Sequence, residues 1–215
     1  MNNKNGIYDK LRQIALKAGA KDTKLITTND IIVDERVRLK CMIPPCSQSG
    51  LCRHCPPNGL SCEKTNSIIN KYYSAILFSV EVPNHIIAGQ HIGKAHRHHQ
   101  LDDQGGLAVL GAYFLLVFQI SALMKKKAKE EGYKTHSFSA SNCKEVICYF
   151  YDDCRVLAQK KKCRHPELSM PSMESAGMDV YKMAANAGWP IYPIGEKTQP
   201  EDIPNGLLCG LVLFR

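Results

Sequence analysis

The cysteines restrict what this chain can fold into more than any other feature. There are ten in 215 residues, and nine fall in two segments, residues 40–66 and 141–171, which show neither helical nor strand periodicity. The chain begins MNNKNGIYDK without an apolar signal segment, so we expect a reducing, cytoplasmic location. In that setting thiols bind metals or carry redox chemistry rather than forming a disulfide framework.

The spacing C-x4-C-x5-C occurs in both segments. The first reads Cys41-x4-Cys46-x5-Cys52-x2-Cys55-x6-Cys62, and the second reads Cys143-x4-Cys148-x5-Cys154-x8-Cys163. Each segment also contains Cys-Arg-His and has a proline soon after a cysteine. We therefore predict two equivalent four-thiolate sites. The candidate ligands are Cys41, Cys46 and Cys55 with either Cys52 or Cys62 at the first site, and Cys143, Cys148, Cys154 and Cys163 at the second.

Iron–sulfur clusters fit this pattern better than zinc does. Structural zinc favours paired C-x2–4-C knuckles separated by a longer spacer, and only Cys52-x2-Cys55 is a tight knuckle. The four ligands of a cubane approach from different directions, so the loop that carries them is irregular and often ends near a proline. We expect two [4Fe-4S] clusters, with zinc and free or catalytic thiols as the alternatives. The tenth cysteine, Cys209, lies in a predicted strand and is interpreted as a core residue.

The net charge of +8 has two interpretations. It could indicate an anionic partner such as nucleic acid, or it could offset the charge of metal–thiolate clusters. An oxidised four-thiolate cubane carries about −2, so two of them would reduce the charge to about +4, and a nucleic-acid partner is not needed. Of the two basic runs, Lys125–Lys127 fits a solvated helix end. Lys160–Lys162 could stabilise a reduced cluster or bind an acidic redox partner.

Outside the cysteine segments, the hydrophobic pattern predicts an α+β fold. We expect one domain over residues 1–215, with a central antiparallel or mixed sheet, a long core helix and the two irregular segments. The predicted helices cover residues 6–18, 107–131 and 173–187, the last capped by Ser172. The predicted strands cover residues 72–82, 133–139, 191–194 and 207–214, with a weak hairpin at 25–33.

The long helix candidate also reaches the lower limit of a membrane span, because residues 107–124 are apolar almost all round. A core helix is the favoured interpretation, since Gly111, Gln119 and Ser121 interrupt the run. A span would also place two similar cysteine segments on opposite sides of a membrane. We therefore do not expect a membrane partner.

Two runs resemble the motifs of a known family. They are Cys41-Met-Ile-Pro-Pro-Cys46 with Gly50 and Cys55-Pro-Pro, and Cys163-Arg-His-Pro166 with Pro171-Ser-Met-Glu174 and Gly177-Met-Asp-Val180. Both are similar to the predicted metal-binding proteins catalogued as domain of unknown function 2284, over about residues 35–190. The resemblance implies metal binding, with iron–sulfur clusters, in anaerobic bacteria and archaea. In the second run Glu174 and Asp179 are candidates for a functional role beside a helix cap.

The histidines give weaker signals. Those at His85, His91, His96, His98 and His99 are interpreted as a polar surface segment, although His96 and His99 could share a helix face. His54 and His165 each follow a cysteine by two residues, so either could donate an N–H to a cluster sulfur or bind the metal.

Common nucleotide, hydrolase and adenosylmethionine-radical motifs are missing from the sequence. The prediction is an iron–sulfur protein that transfers electrons in an anaerobe, acting with an unidentified redox protein. The alternatives are an iron–sulfur enzyme whose cluster binds substrate, a zinc-stabilised interaction module, and a cluster carrier. Whether the chain is an enzyme stays open at this level.

Overall fold

The computed structural model describes residues 3–89, 106–195 and 197–215. Its centre is a four-stranded antiparallel sheet with the strand order β1-β2-β4-β3. The strands are β1 (Asp22–Thr27), β2 (Ser74–Pro83), β3 (Thr135–Phe138) and β4 (Asn205–Phe214). The expected α+β class with an antiparallel central sheet and a long helix is confirmed.

Eight helices accompany the sheet in the described residues. They are α1 (Asn3–Lys17), α2 (Glu35–Leu39), α3 (Cys62–Ile69), α4 (Asn84–Ile87), α5 (Gly106–Glu130), α6 (Cys143–Val146), α7 (Arg155–Ala158) and α8 (Val180–Asn186). The first cysteine segment therefore lies between α2 and α3 and extends into α3. The second contains α6 and α7.

One face of the sheet packs against α1 and α5. The alternation of β2 sends Phe78 to this face, where it meets Leu11 of α1 and Val117 and Ile120 of α5 in one buried cluster. Gly210 of β4 permits the close approach, because a Cβ there would collide with the Phe78 ring and lie 3.0 Å from Val117 Cγ1. The opposite face is covered by Met173, Ala176, Met178, Met183 and Ala184.

Helix α5 is long and apolar enough to cross a membrane, by length and composition alone. Its residues Ala108–Glu130 have a mean hydropathy of 1.7, and 33% of the tested window is buried. The core helix of a soluble domain meets the same criteria, so this is weak evidence for a span. Here Val117, Ile120 and Met124 pack into the cluster shared with α1 and the sheet, as expected for a core helix.

Two predicted β elements are wrong. The hairpin at residues 25–33 does not form, because β1 pairs with β2, and Val33 instead makes an isolated bridge with Met178. Residues 191–194 are not a strand. Both errors come from reading short apolar runs, which do not reveal a partner strand far along the chain.

The predicted helix at 173–187 is broken in the middle. Residues Glu174–Ala176 form a 3-10 turn, Gly177 adopts a φ of +84°, and α8 begins only at Val180. Ser172 does cap the first turn, since its Oγ accepts from Ser175 N at 3.0 Å. The cap of α8 is Asp179, whose Oδ1 accepts from Lys182 N at 3.1 Å.

Candidate metal centre

The first cysteine segment begins with a closed loop. Cys46 N donates to Cys41 O at 3.1 Å, and Met42 and Pro45 form a bridge inside the loop. Cys46 is exposed and Cys41 is half-buried. The backbone N–H of Gln48 donates to Cys46 Sγ at 3.5 Å. Backbone N–H groups aimed at thiolate sulfur are a common feature of iron–sulfur sites, so the loop is arranged as a ligand-bearing segment.

A second turn of the same segment places two thiols inside the protein. Cys55 N donates to Cys52 O at 3.3 Å, and Gly59 N donates to Cys55 O at 2.9 Å. Cys52 and Cys55 are buried with Phe118 of α5 and with Cys143, which belongs to the second segment. The two cysteine segments, far apart in sequence, therefore meet at this point.

Three thiols interact at that junction. Hydrogen bonds from the thiols of Cys143 and Cys55 lower the pKa of Cys52 to about 2. Hydrogen bonding to the Cys52 thiolate, together with burial, raises the pKa of Cys55 and the pKa of Cys143. One thiolate bonded by two thiols is an arrangement in which replacement of the thiol protons by metal is electrostatically favourable.

The second segment surrounds a small cavity, with about 20 Å³ of space for a water-sized molecule. Asn142 caps α6, the helix at the start of this segment, because Asn142 Oδ1 accepts from Glu145 N at 2.9 Å. Cys143 is the first residue of that helix. Cys154 occupies the N-cap position of α7. Five thiols line the cavity, those of Cys52, Cys143, Cys148, Cys154 and Cys163.

The remaining charged groups at the cavity wall are all basic. They are the side chains of Arg53, Lys144, Arg155 and Arg164, and no carboxylate lines the cavity among the described residues. Burial and the charge of Cys163 raise the pKa of Cys148, while Arg164 and Lys144 oppose that rise. The wall is suited to a group that carries negative charge when bound by thiolates.

Residues 24–214 match the family described as "Predicted metal-binding protein (DUF2284)". The chain belongs to this family. The match includes all ten cysteines and both cysteine segments. Neither the curated proteins nor the solved structures gave a match to the chain.

The first of the two predicted histidines links the segments in this DUF2284 protein. His54 Nε2 lies 3.1 Å from Ser169 Oγ, and the Ser169 hydroxyl interacts in turn with the Cys143 thiol. Burial lowers the pKa of His54 to about 4, so the ring is neutral at pH 7. A neutral ring bonded to Ser169 supports the junction rather than supplying charge to it.

The second predicted histidine lies beside a candidate ligand. His165 donates its backbone N–H to Cys163 Sγ at 3.4 Å. Its ring atom Nε2 is buried and has no hydrogen-bond partner in the described residues. Of the five histidines interpreted as a polar surface segment, His85 lies in α4. His91, His96, His98 and His99 lie outside the described residues.

Four cysteines lie outside the junction and the cavity lining: Cys41, Cys46, Cys62 and Cys209. Cys62 is in the first turn of α3, where burial and hydrogen bonding to Glu35 raise its pKa to about 11. Cys209 is buried in β4 within the core, and that burial raises its pKa. Of the two alternatives for the first site, Cys52 is thus the one that contacts other candidate ligands.

The DUF2284 signature Gly177-Met-Asp-Val180 has a structural explanation. A Cβ at Gly177 would collide with the sulfur of Cys62, and the positive φ also favours glycine. Met178 is core and Asp179 caps α8. Glu174 is different, because burial raises its pKa, and its charge acts on Cys41.

Several site residues were missed from the sequence, and one signal could have found them. Four of the five cavity cysteines are followed directly by a basic residue, and those residues form the cationic wall. The pairs are Cys52-Arg53, Cys143-Lys144, Cys154-Arg155 and Cys163-Arg164. No comparable pattern in the sequence predicts that Ser169 lines the cavity. None predicts that Cys52 of the first segment lies beside the second.

Proposed function

We propose that this protein binds two iron–sulfur clusters of the [4Fe-4S] type and transfers electrons in the cytoplasm of an anaerobe. The observation that carries the proposal is the cavity lined by five cysteines and four basic residues and by no described carboxylate residue; of the four, Arg164 is paired with Asp153 outside the lining. A four-thiolate cubane brings about −2 in its oxidised form, which such a wall stabilises. All ten cysteines are free, as a reducing compartment requires.

The irregular cysteine loops favour a cluster over a single zinc ion. Structural zinc favours paired knuckles, and only Cys52-x2-Cys55 is a tight one. The four thiolates of a cubane bind four different iron atoms from different directions, which segments without helical or strand periodicity allow.

The ligand assignment follows the two cysteine segments, with Cys52 preferred to Cys62 because its thiol contacts that of Cys55. Cys143, Cys148, Cys154 and Cys163 would hold the second cluster, and Cys41, Cys46, Cys55 and Cys52 the first. Each cluster would accept and release one electron when bound. The protein itself supplies the remaining parts: N–H groups donate to Cys46 and Cys163, cations offset thiolate charge, and Phe118 and Met170 exclude water from the junction.

Anaerobic reconstitution with iron and sulfide tests the proposal. We expect about eight iron and eight sulfide per chain, with the absorption and electron-paramagnetic-resonance spectra of reduced cubanes. Cys148→Ser should lose about half of the iron, whereas Cys209→Ala, in the core strand β4, should load like the wild type. A colourless protein, or one that holds zinc and no iron, contradicts the proposal.

A second candidate is an iron–sulfur enzyme whose first cluster binds substrate. It is favoured by the position of Cys52, which lines the second cavity, and by that of Cys62, which faces Glu35. If Cys52 binds the second cluster, only Cys41, Cys46 and Cys55 remain for the first. One iron of the first cluster would then have no cysteine ligand and could bind substrate. A spectral change on adding small carboxylates or thiols would support this candidate, and four-thiolate coordination at both sites would exclude it.

A further inference from the structure

Two stretches of the second cysteine segment expose aromatic and basic side chains. Between Cys148 and Cys154, the exposed fractions are 94% for Phe150, 56% for Tyr149 and 43% for Tyr151. Between Cys154 and Cys163, three consecutive lysines are exposed. These side chains are called the aromatic–basic surface: Tyr149, Phe150, Tyr151, Lys160, Lys161 and Lys162.

Local contacts order the aromatic stretch and tie it to Arg164, which follows the lysine stretch by two residues in the chain. Tyr151 N donates to Cys148 O at 3.0 Å, and the rings of Tyr149 and Phe150 pack edge to face with centroids 5.4 Å apart. The guanidinium of Arg164 lies 4.3 Å from the centroid of the Tyr151 ring and bonds Asp153 Oδ1 at 3.1 Å. A preformed surface loses little conformational entropy when a partner binds.

The exposure of Phe150 is unfavourable in the isolated protein. A phenyl ring that is almost wholly in water gains free energy when a partner buries it, and interface centres are enriched in aromatic residues. Polar and charged side chains surround the ring in sequence, as the rim of a protein interface requires. Phe150 is therefore suited to be the central contact of such an interface.

The charge of the surface indicates the chemistry of the partner. The ion pairs of the described residues leave out Lys160, Lys161 and Lys162. Asp153, by contrast, is paired with Arg164. Three exposed and unpaired cations beside an aromatic contact favour a partner with carboxylates on its surface.

The surface also borders the thiol cavity directly. Tyr149 follows Cys148 in the chain, and Lys162 precedes Cys163. We propose that the aromatic–basic surface binds an acidic one-electron carrier protein at the second cysteine site, an inference that rests on the proposed electron-transfer function. One electron leaves the reduced carrier, which is oxidised by one electron, and enters the cluster. No bond or proton is exchanged.

Single-stranded nucleic acid is the other macromolecule that aromatic and basic residues can bind. Its bases need aromatic faces arranged as successive stacking platforms. Here Tyr149 and Phe150 meet at an interplanar angle of 86°, so the two rings do not form such a series. The protein partner is therefore favoured.

The test uses the cluster-loaded protein and reduced flavodoxin, an acidic one-electron carrier, as the probe. Binding is measured as a dissociation constant, and electron transfer is followed separately by stopped flow. Reversing the three charges, in K160E/K161E/K162E, should weaken binding at low salt about tenfold or more. Phe150→Ser should weaken it about tenfold and leave the salt dependence in place, because it removes apolar contact only.

A charge-matched control separates this surface from the overall charge of the protein. K17E/K24E/K71E changes the net charge equally at exposed lysines on the α1, β1 and α3 side of the molecule. The control should bind within about twofold of the wild type at the same salt. All variants must show the wild-type cluster spectrum before they are compared.

The outcomes are distinct. A protein that takes up no cluster contradicts the proposed function and this inference with it. A loaded protein whose binding responds equally to both triple variants, or to neither, contradicts only the docking surface. If a single-stranded oligonucleotide binds steeply with falling salt and is lost in K160E/K161E/K162E while flavodoxin does not bind, the surface recognises nucleic acid and the inference is wrong.

Discussion

The sulfur of Cys62 determines which residue can occupy position 177. Cys62 is the first residue of α3, and its thiol is buried. The sulfur faces the backbone of Gly177, which lies between the 3-10 turn and α8. Gly177 has a positive φ and no room for a side chain. Its close contact with the Cys62 sulfur packs the first cysteine segment against the core. At this position packing and backbone conformation together explain the glycine.

Gly177→Ala should therefore lower the free energy of unfolding by about 3 kcal/mol, from the left-handed backbone and the collision with Cys62 together. Gly188 is the matched control, since its φ is +82° but nothing lies within 4 Å of an added Cβ. Gly188→Ala should lower the same quantity by about 1 kcal/mol. Urea unfolding of both variants measures the difference, and equal losses would contradict the role of Cys62.

A second expectation at the residue scale concerns His136 of β3, which sequence reasoning did not single out. Burial, and then the charge of Lys125, lowers its pKa below the ordinary value of 6.5, and its Nε2 has no partner in the described residues. The ring is neutral in the folded state. As pH falls below about 6.5, the unfolded chain takes up a proton that the folded chain resists, so stability is lost.

His136→Gln keeps a polar side chain that cannot be protonated in this range. The variant should lose less stability than the wild type between pH 7.5 and 5.5, by up to about 1.4 kcal/mol for each unit by which the pKa of His136 is lowered. Urea unfolding at several pH values gives the two slopes. Parallel slopes would show that His136 does not contribute.

Among the elements, the contact between α5 and β4 positions the junction of the two cysteine segments. Phe118, one residue after Val117, packs on Cys52, Cys55 and Cys143 from the same helix that covers the sheet. The distance of α5 from the sheet therefore sets the position of that ring. Gly210 is the residue of β4 that keeps the distance short.

Gly210→Ala should destabilise the fold by about 2–3 kcal/mol, since Phe78 has no room to move away from the added methyl group. It should also lower the iron content after reconstitution by displacing Phe118. Gly111 of α5 is the control, because a Cβ added there meets nothing within 4 Å. Gly111→Ala should therefore stabilise the protein by up to about 1 kcal/mol. Thermal unfolding and iron analysis compare the two variants. Wild-type stability and iron content in Gly210→Ala would show that this glycine does not position Phe118.

How much of the structure could be predicted depended on the range of the interactions. Helix α5 and strand β4 were found because long apolar patterns are local properties of the chain. The break at Gly177 was missed because it is imposed by Cys62, which is remote in sequence. The false hairpin had the same origin, since the partner of β1 is β2.

The candidate site shows the same limit. Spacing alone identified the cysteine segments and separated Cys209 from them. It assigned Cys52 to the first segment only, because the contact of Cys52 with Cys143 depends on how α5 and the sheet bring the segments together. The basic residue that directly follows four of the cysteines is visible in the sequence. Only the structure shows that these basic residues line the same cavity as the cysteines.

At the scale of the whole molecule, the two cysteine segments form one continuous region. The Cys52 and Cys143 thiols interact, and His54 of one segment contacts Ser169 of the other. Two metal sites built here would adjoin each other. They should exchange electrons with each other and respond together to a change at the junction.

Cys52→Ser tests this coupling in the reconstituted protein. We expect changed resonance signals from both clusters, including the one assigned to the second segment, because Cys52 touches Cys55 and Cys143. Cys46→Ser, at the exposed loop, should alter the first cluster alone. If the Cys52→Ser spectrum differs from the wild type at the first cluster only, the sites are independent.

The unequal burial of the thiols has a consequence for oxygen. Cys46 stands in solvent, whereas Cys52 and Cys143 are 0% and 4% exposed. Dissolved dioxygen therefore reaches the Cys46 end of the first site before it reaches the junction. Brief contact with air should attack the first site from that end, so a partly loaded protein would record how the sample was handled.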